Sequence, residues 1–109
     1  MASESFTPTK AVADEAAKGL KLREKHGRGG TQVGLNRGKQ LAERRELTPE
    51  IVKKMRAYFA RHNVDKRGKN FGDQENPSAG YIAWLLWGGD AGKAWSEKAM
   101  EKLEKASSA

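Results

Sequence analysis

The sequence predicts an all-α fold, a compact bundle of four or five short helices with glycine-rich connections and room for one helix-turn-helix-like pair. Three observations carry that prediction. Apolar residues recur at three- and four-residue spacing in successive segments. Helix-starting groups such as Thr9, Thr48-Pro49 and Asn76-Pro77-Ser78 alternate with glycine clusters that stop helices. No segment shows the apolar–polar alternation of a half-buried strand.

Thr9 to Lys25 reads as the first helix. Thr9 suits its cap, and Val12, Ala13, Ala16, Ala17 and Leu20 share a side. Gly19 lies inside it, at a cost of about 1 kcal/mol relative to Ala that a closely passing backbone would justify. His26-Gly27-Arg28-Gly29-Gly30 ends it, and Leu35 to Leu47 reads as a second short helix. Thr48-Pro49-Glu50 is the clearest boundary: a cap, a proline at the first helical position, and an acid at the positive end of the helix dipole. The third helix then carries Ile51, Met55, Phe59 and His62 as one stripe, with Lys53, Lys54, Arg56 and Arg61 elsewhere on its surface.

Residues 63–76 hold no sustained period and read as a loop that opens on the basic turn Asp65-Lys66-Arg67-Gly68-Lys69. The fourth helix starts at Asn76-Pro77-Ser78 and runs to about Trp87. Apolar around most of its circumference, it is the candidate core helix. Gly88-Gly89 stops it. Asp90 is expected to cap a last helix toward Lys105, with Trp95, Ala99 and Leu103 on one stripe.

A chain of 109 residues, 37% hydrophobic and with mean hydropathy -0.84, suits one modest core. A single helical domain is expected over 10–105, with flexible segments at 1–9 and 106–109. The longest apolar run, Tyr81 to Trp87, is too short to span a bilayer, and Met1 to Lys10 lacks the apolar run of a signal peptide. Absence of cysteine excludes disulfides, thiol catalysis and cysteine-ligated metal. These features fit a cytoplasmic protein with no membrane insertion.

The formal charge is +7, and its distribution says more than its total. Residues 1–46 contribute +4, residues 47–69 contribute +5, and residues 70–109 contribute -2. A positive field concentrated in the first two thirds of the chain points to a polyanion. Phosphate contacts are assigned to Lys53, Lys54, Arg56 and Arg61 on the third helix and to Lys66, Arg67 and Lys69 after it. Arg28, Arg37, Arg44 and Arg45 widen the patch if the fold brings them to the same side. The bland alternative is a solvated surface that keeps a small domain soluble. A helix-turn-helix across Arg45 to Thr48 would offer Pro49 and Glu50 to bases, a poor reading set, so a non-specific mode fits better.

The loop HGRGGTQVG has amides and an arginine that could cradle a phosphate. It lacks the Gly-Lys-Ser/Thr ending of a Walker A motif, and no strand precedes it as in a Rossmann fingerprint. A turn between packed helices is its simpler reading. Trp84, Trp87 and Trp95 are core residues by default, with a partner-binding patch as the alternative. His26 and His62 have no His or Cys partner at ligand spacing, so no metal site is expected. No nucleophile–base set or carboxylate pair nominates a catalytic residue, and no cofactor motif is present. The chain reads as non-enzymatic.

Three blocks resemble a small family of proteins and domains from tailed bacteriophages and related bacterial genes. They are KAVADEAAKGLKLREKHGRGGTQVG, LTPEIVKKMRAYFARHNVDK and PSAGYIAWLLWGGDAGKAWSEK, together covering most of Lys10 to Lys98. The tract SAGYIAWLLWGGDAGKAW is the most specific. The resemblance implies a viral origin and a compact domain, and it supplies no catalytic residue to carry over. The expected function is therefore DNA binding through the phosphate backbone in the infected host's cytoplasm, with RNA as the related choice. The alternatives are an adaptor or inhibitor that binds an acidic host or viral protein, and a structural virion component.

Overall fold

The computed structural model describes residues 6–108, with side chains to residue 105. Five α-helices follow in order: α1 (Lys10–His26), α2 (Gln32–Ala42), α3 (Pro49–His62), α4 (Ala79–Leu86) and α5 (Gly89–Ser108). A short 3-10 helix, Asn63–Arg67, extends α3 where the sequence reads as loop.

The caps explain most boundaries. Thr9, Thr31, Thr48 and Ser78 each accept a hydrogen bond from the backbone N–H three residues on, at 3.4, 3.2, 3.3 and 3.0 Å. The α1 terminus turns at Gly27 in the left-handed region (φ 64°), whose N–H donates to the Arg23 carbonyl at 2.7 Å. Helix α2 starts three residues before Leu35 because Thr31 caps it. It stops at Ala42 because Arg44 turns to φ 53° and Leu47 leaves to pair with Phe6. Asp90 lies one residue inside α5 rather than capping it, and accepts from the Trp84 indole at 3.0 Å.

Helix α4 is the centre of the fold, with Ile82, Trp84, Leu85 and Leu86 almost wholly buried. Helices α1 and α2 pack on each other and on α4, while α3 lies against α5. The α1–α4 crossing is close enough to need glycine: a Cβ on Gly19 would stand 2.8 Å from the Leu86 backbone nitrogen and 2.9 Å from the Leu85 Cβ. Leu41, Leu47, Val52, Met55 and Phe59 fill the remainder.

Three expectations need correction. The segment before Lys10 is tied down from Phe6 onward. Phe6 and Leu47 exchange backbone hydrogen bonds of 3.0 and 2.7 Å, Phe6 meets Trp95 edge to face at 6.5 Å, and Pro8 is buried. Residues 1–5 and 109, the rest of the expected flexible ends, lie outside the described residues, and the α5 backbone continues through Ser108. Finally, α2 and α3 do not approach within 8 Å, backbone to backbone, so the expected pair is splayed rather than packed as a helix-turn-helix.

Candidate nucleic-acid interface

Helix α3 divides cleanly into two faces. Val52, Met55, Tyr58 and Phe59 are buried, because these apolar side chains fall within one arc of the 3.6-residue turn and face α4 and α5. Lys53, Lys54, Arg56 and Arg61 fall on the opposite arc, and all four are exposed. Among the described residues none of them stands in an ion pair. Arg67 and Lys69, beyond the helix end, are exposed and unpaired in the same sense. The result is a basic strip along about 12 Å of helix, with further cations past its C-terminus.

The other assigned cations behave differently. Arg37 does not reach the surface: it is 8% exposed, its guanidinium stands 5.3 Å over the Trp87 ring, and Nη1 donates to Gln40. Burial lowers its pKa, and its Nε has no partner among the described residues. Lys66 is held by Asp90 at 2.8 Å and lies 5.0 Å over Trp84. Arg28 donates to the Asn76 side chain at 2.8 Å and to the Pro77 carbonyl at 3.1 Å, binding the glycine loop to the start of α4. Arg44 donates to the Pro8 carbonyl at 2.8 Å, and Arg45 pairs with Glu43 at 2.6 Å. Arg28, Arg44 and Arg45 remain exposed, but each has a structural partner.

The tryptophans offer no exposed patch. Trp84 is 1% and Trp87 8% exposed, because both face inward from the central helix and its C-cap. Trp95 is half-buried against Phe6. Core packing therefore replaces the partner-binding reading of Trp84 and Trp87.

The splaying of α2 from α3 opens a groove of about 630 Å³ that sequence reasoning missed. Thr31 and Val33 at the start of α2 form one wall, Lys54, Ala57 and Arg61 of α3 the other, and Ala79, Ala83 and Trp87 also line it. Val33 is 55% exposed, a rare large apolar side chain left open. Gly80 meets the Asp65 side chain closely, while Ala79 and Ala83 border the groove.

A stack of flat groups runs beside this groove. His62 and Tyr58 rings lie 4.5 Å apart, Tyr58 and Trp87 lie 4.7 Å apart and nearly parallel at 8°, and Arg37 follows. His62 Nδ1 is 3.2 Å from Asp65 Oδ2. The Tyr58 hydroxyl is buried with no hydrogen-bond partner among the described residues. Burial pushes its pKa well above the ordinary tyrosine value, and the nearby Asp65 charge adds to the rise.

Among the described residues, no helix is long and apolar enough to cross a membrane. Comparison with protein-family models, curated proteins and solved structures finds no match to this chain.

Proposed function

We propose that the chain is a non-enzymatic bacteriophage protein that binds DNA in the cytoplasm of the infected host, chiefly through phosphate contacts. The observation that carries this reading is the strip of four exposed, unpaired cations on one face of α3: Lys53, Lys54, Arg56 and Arg61. Charges without internal partners keep their full attraction for an external polyanion, and lysine and arginine meet phosphates without reading bases. Arg67 and Lys69 extend the strip. Arg37 and Lys66 leave the contact set because internal partners hold them. The viral assignment rests on the three sequence blocks described above.

The test is fluorescence anisotropy with labelled duplex DNA at several salt concentrations. Four phosphate contacts predict an affinity that falls by about 3.6 log units per log unit of salt, at about 0.9 for each neutralised phosphate. Combined Lys53→Glu, Lys54→Glu, Arg56→Glu and Arg61→Glu substitution should abolish binding while circular dichroism stays helical. No binding at low salt would sink the reading and leave an acidic protein as the partner of the same strip.

A further inference from the structure

We propose that the groove between α2 and α3 receives one unpaired nucleotide of a nucleic-acid strand, with its flanking phosphates on Lys54 and Arg61 and its base between the helices. This rests on the nucleic-acid reading but makes a separate claim, because backbone contact alone would leave the groove unused.

Four features point to such a ligand. The volume, about 630 Å³, falls within the range of small-ligand sites, roughly 300–1,000 Å³. It suits one base with its sugar and phosphate rather than a helix. Much of the lining is apolar: Val33, Ala57, Ala79, Ala83 and the edge of Trp87. A flat base loses little by leaving water for such walls. Lys54 and Arg61 stand seven residues apart on the same side of α3, about 10 Å along its axis. They are thus placed to meet phosphates on either side of a single nucleotide.

The fourth feature is polar: Asp65 lines the groove and can accept from a base N–H. An acidic peptide would satisfy the cations, but it would bring its carboxylates toward Asp65.

Binding is compared for a perfect duplex, the same duplex with a one-nucleotide bulge, and the bulge with its base removed. The bulged duplex should bind about tenfold more tightly than the perfect one, and removal of the base should erase the gain. Ala79→Trp fills the groove from an exposed α4 position and leaves all four α3 cations unsubstituted. It should remove the bulge preference and leave perfect-duplex affinity unchanged. Equal affinity for all three probes, with duplex binding intact, overturns the groove assignment and spares the phosphate reading. If no duplex binds, a nuclear magnetic resonance titration with guanosine and adenosine monophosphates decides alone. Shifts confined to Gly30, Val33, Ala83 and the Trp87 indole uphold the nucleotide site. Their absence, or the same shifts with an acidic peptide only, overturns it.

Discussion

The Arg37 guanidinium lies 5.3 Å over the ring of Trp87, in the interior between α2 and α4. A cation is tolerated there because the ring's negative face and the Gln40 side-chain Oε1 replace part of its hydration. The same contact ends a column that runs through Tyr58 to His62, so one residue of α2 is coupled by stacking to the face of α3. Arg37 thereby links, through Trp87, two helices that make no direct backbone contact.

Arg37→Ala removes a desolvated cation–π contact and the packing of the arginine stem. The contact contributes about 1–2 kcal/mol, and the exposed ring and lost stem add to the deficit. Urea unfolding should therefore show a loss of about 2 kcal/mol. Anisotropy with perfect duplex DNA should show the same salt slope as the parent protein. A shallower slope would return Arg37 to the phosphate-binding set.

Gly19→Ala sets two effects against each other. Helix propensity favours alanine by about 1 kcal/mol. The new Cβ, however, meets the Leu86 backbone nitrogen at 2.8 Å, and backbone cannot swing aside as a side-chain end can. Overpacking of this kind costs about 1–3 kcal/mol. The variant should melt several degrees lower, given roughly 4–8 °C per kcal/mol for a domain of this size. A higher melting temperature would show that α1 and α4 can separate without loss.

Tyr58→Phe should leave stability at neutral pH unchanged or slightly raised, because the deleted hydroxyl has no partner to lose. The alkaline limb tests the burial directly. Burial and the Asp65 charge raise the folded pKa above the ordinary value of 10.0. As pH rises past that value the unfolded chain releases the phenolic proton first, so the folded state loses stability. Denaturant titrations from pH 9 to 11 should show the parent falling relative to Tyr58→Phe.

Local signals read correctly wherever local physics controls the outcome. Thr9, Thr48 and Ser78 cap as their spacing requires, and the apolar stripe of α3 buries as read. Gly19 answers a backbone that does pass close. What local reading could not supply was the angle between successive helices. Residues 43–47 read as the end of the second helix, but α2 stops at Ala42, Arg44 takes a left-handed conformation and Leu47 pairs with Phe6, which sends α3 away from α2. The groove follows from that divergence, and its lining comes from three distant segments. Arg37 was likewise illegible, because its charge pattern matches that of Arg44 and Arg45, and only the position of Trp87 decides its burial. The open Val33, an apolar residue in a polar helix start, was the one local hint of the groove.

Asp90→Ala isolates the contact that closes the other end of the core. The Asp90 carboxylate accepts from the Trp84 indole at 3.0 Å and pairs with Lys66 at 2.8 Å. The Asp90 side chain is exposed, so its deletion opens the Trp84 N–H to water, and the loss should be about 1 kcal/mol, the net worth of one hydrogen bond. Asp90→Asn keeps a carbonyl acceptor and should lose less, chiefly the charge attraction to Lys66. Lys66 foremost, with help from the indole, holds the Asp90 pKa below its usual 3.8 against the opposing effect of burial. A depressed folded pKa stabilises the protein above the unfolded value and ceases to do so as pH falls through the folded one. The stability gap between parent and Asp90→Asn should therefore be widest at neutral pH and narrow below about pH 3.8. Chemical denaturation from pH 3 to 7 reads that gap, and a gap that does not change with pH would mean that hydrogen bonding alone, without charge, ties Asp90 to Trp84 and Lys66.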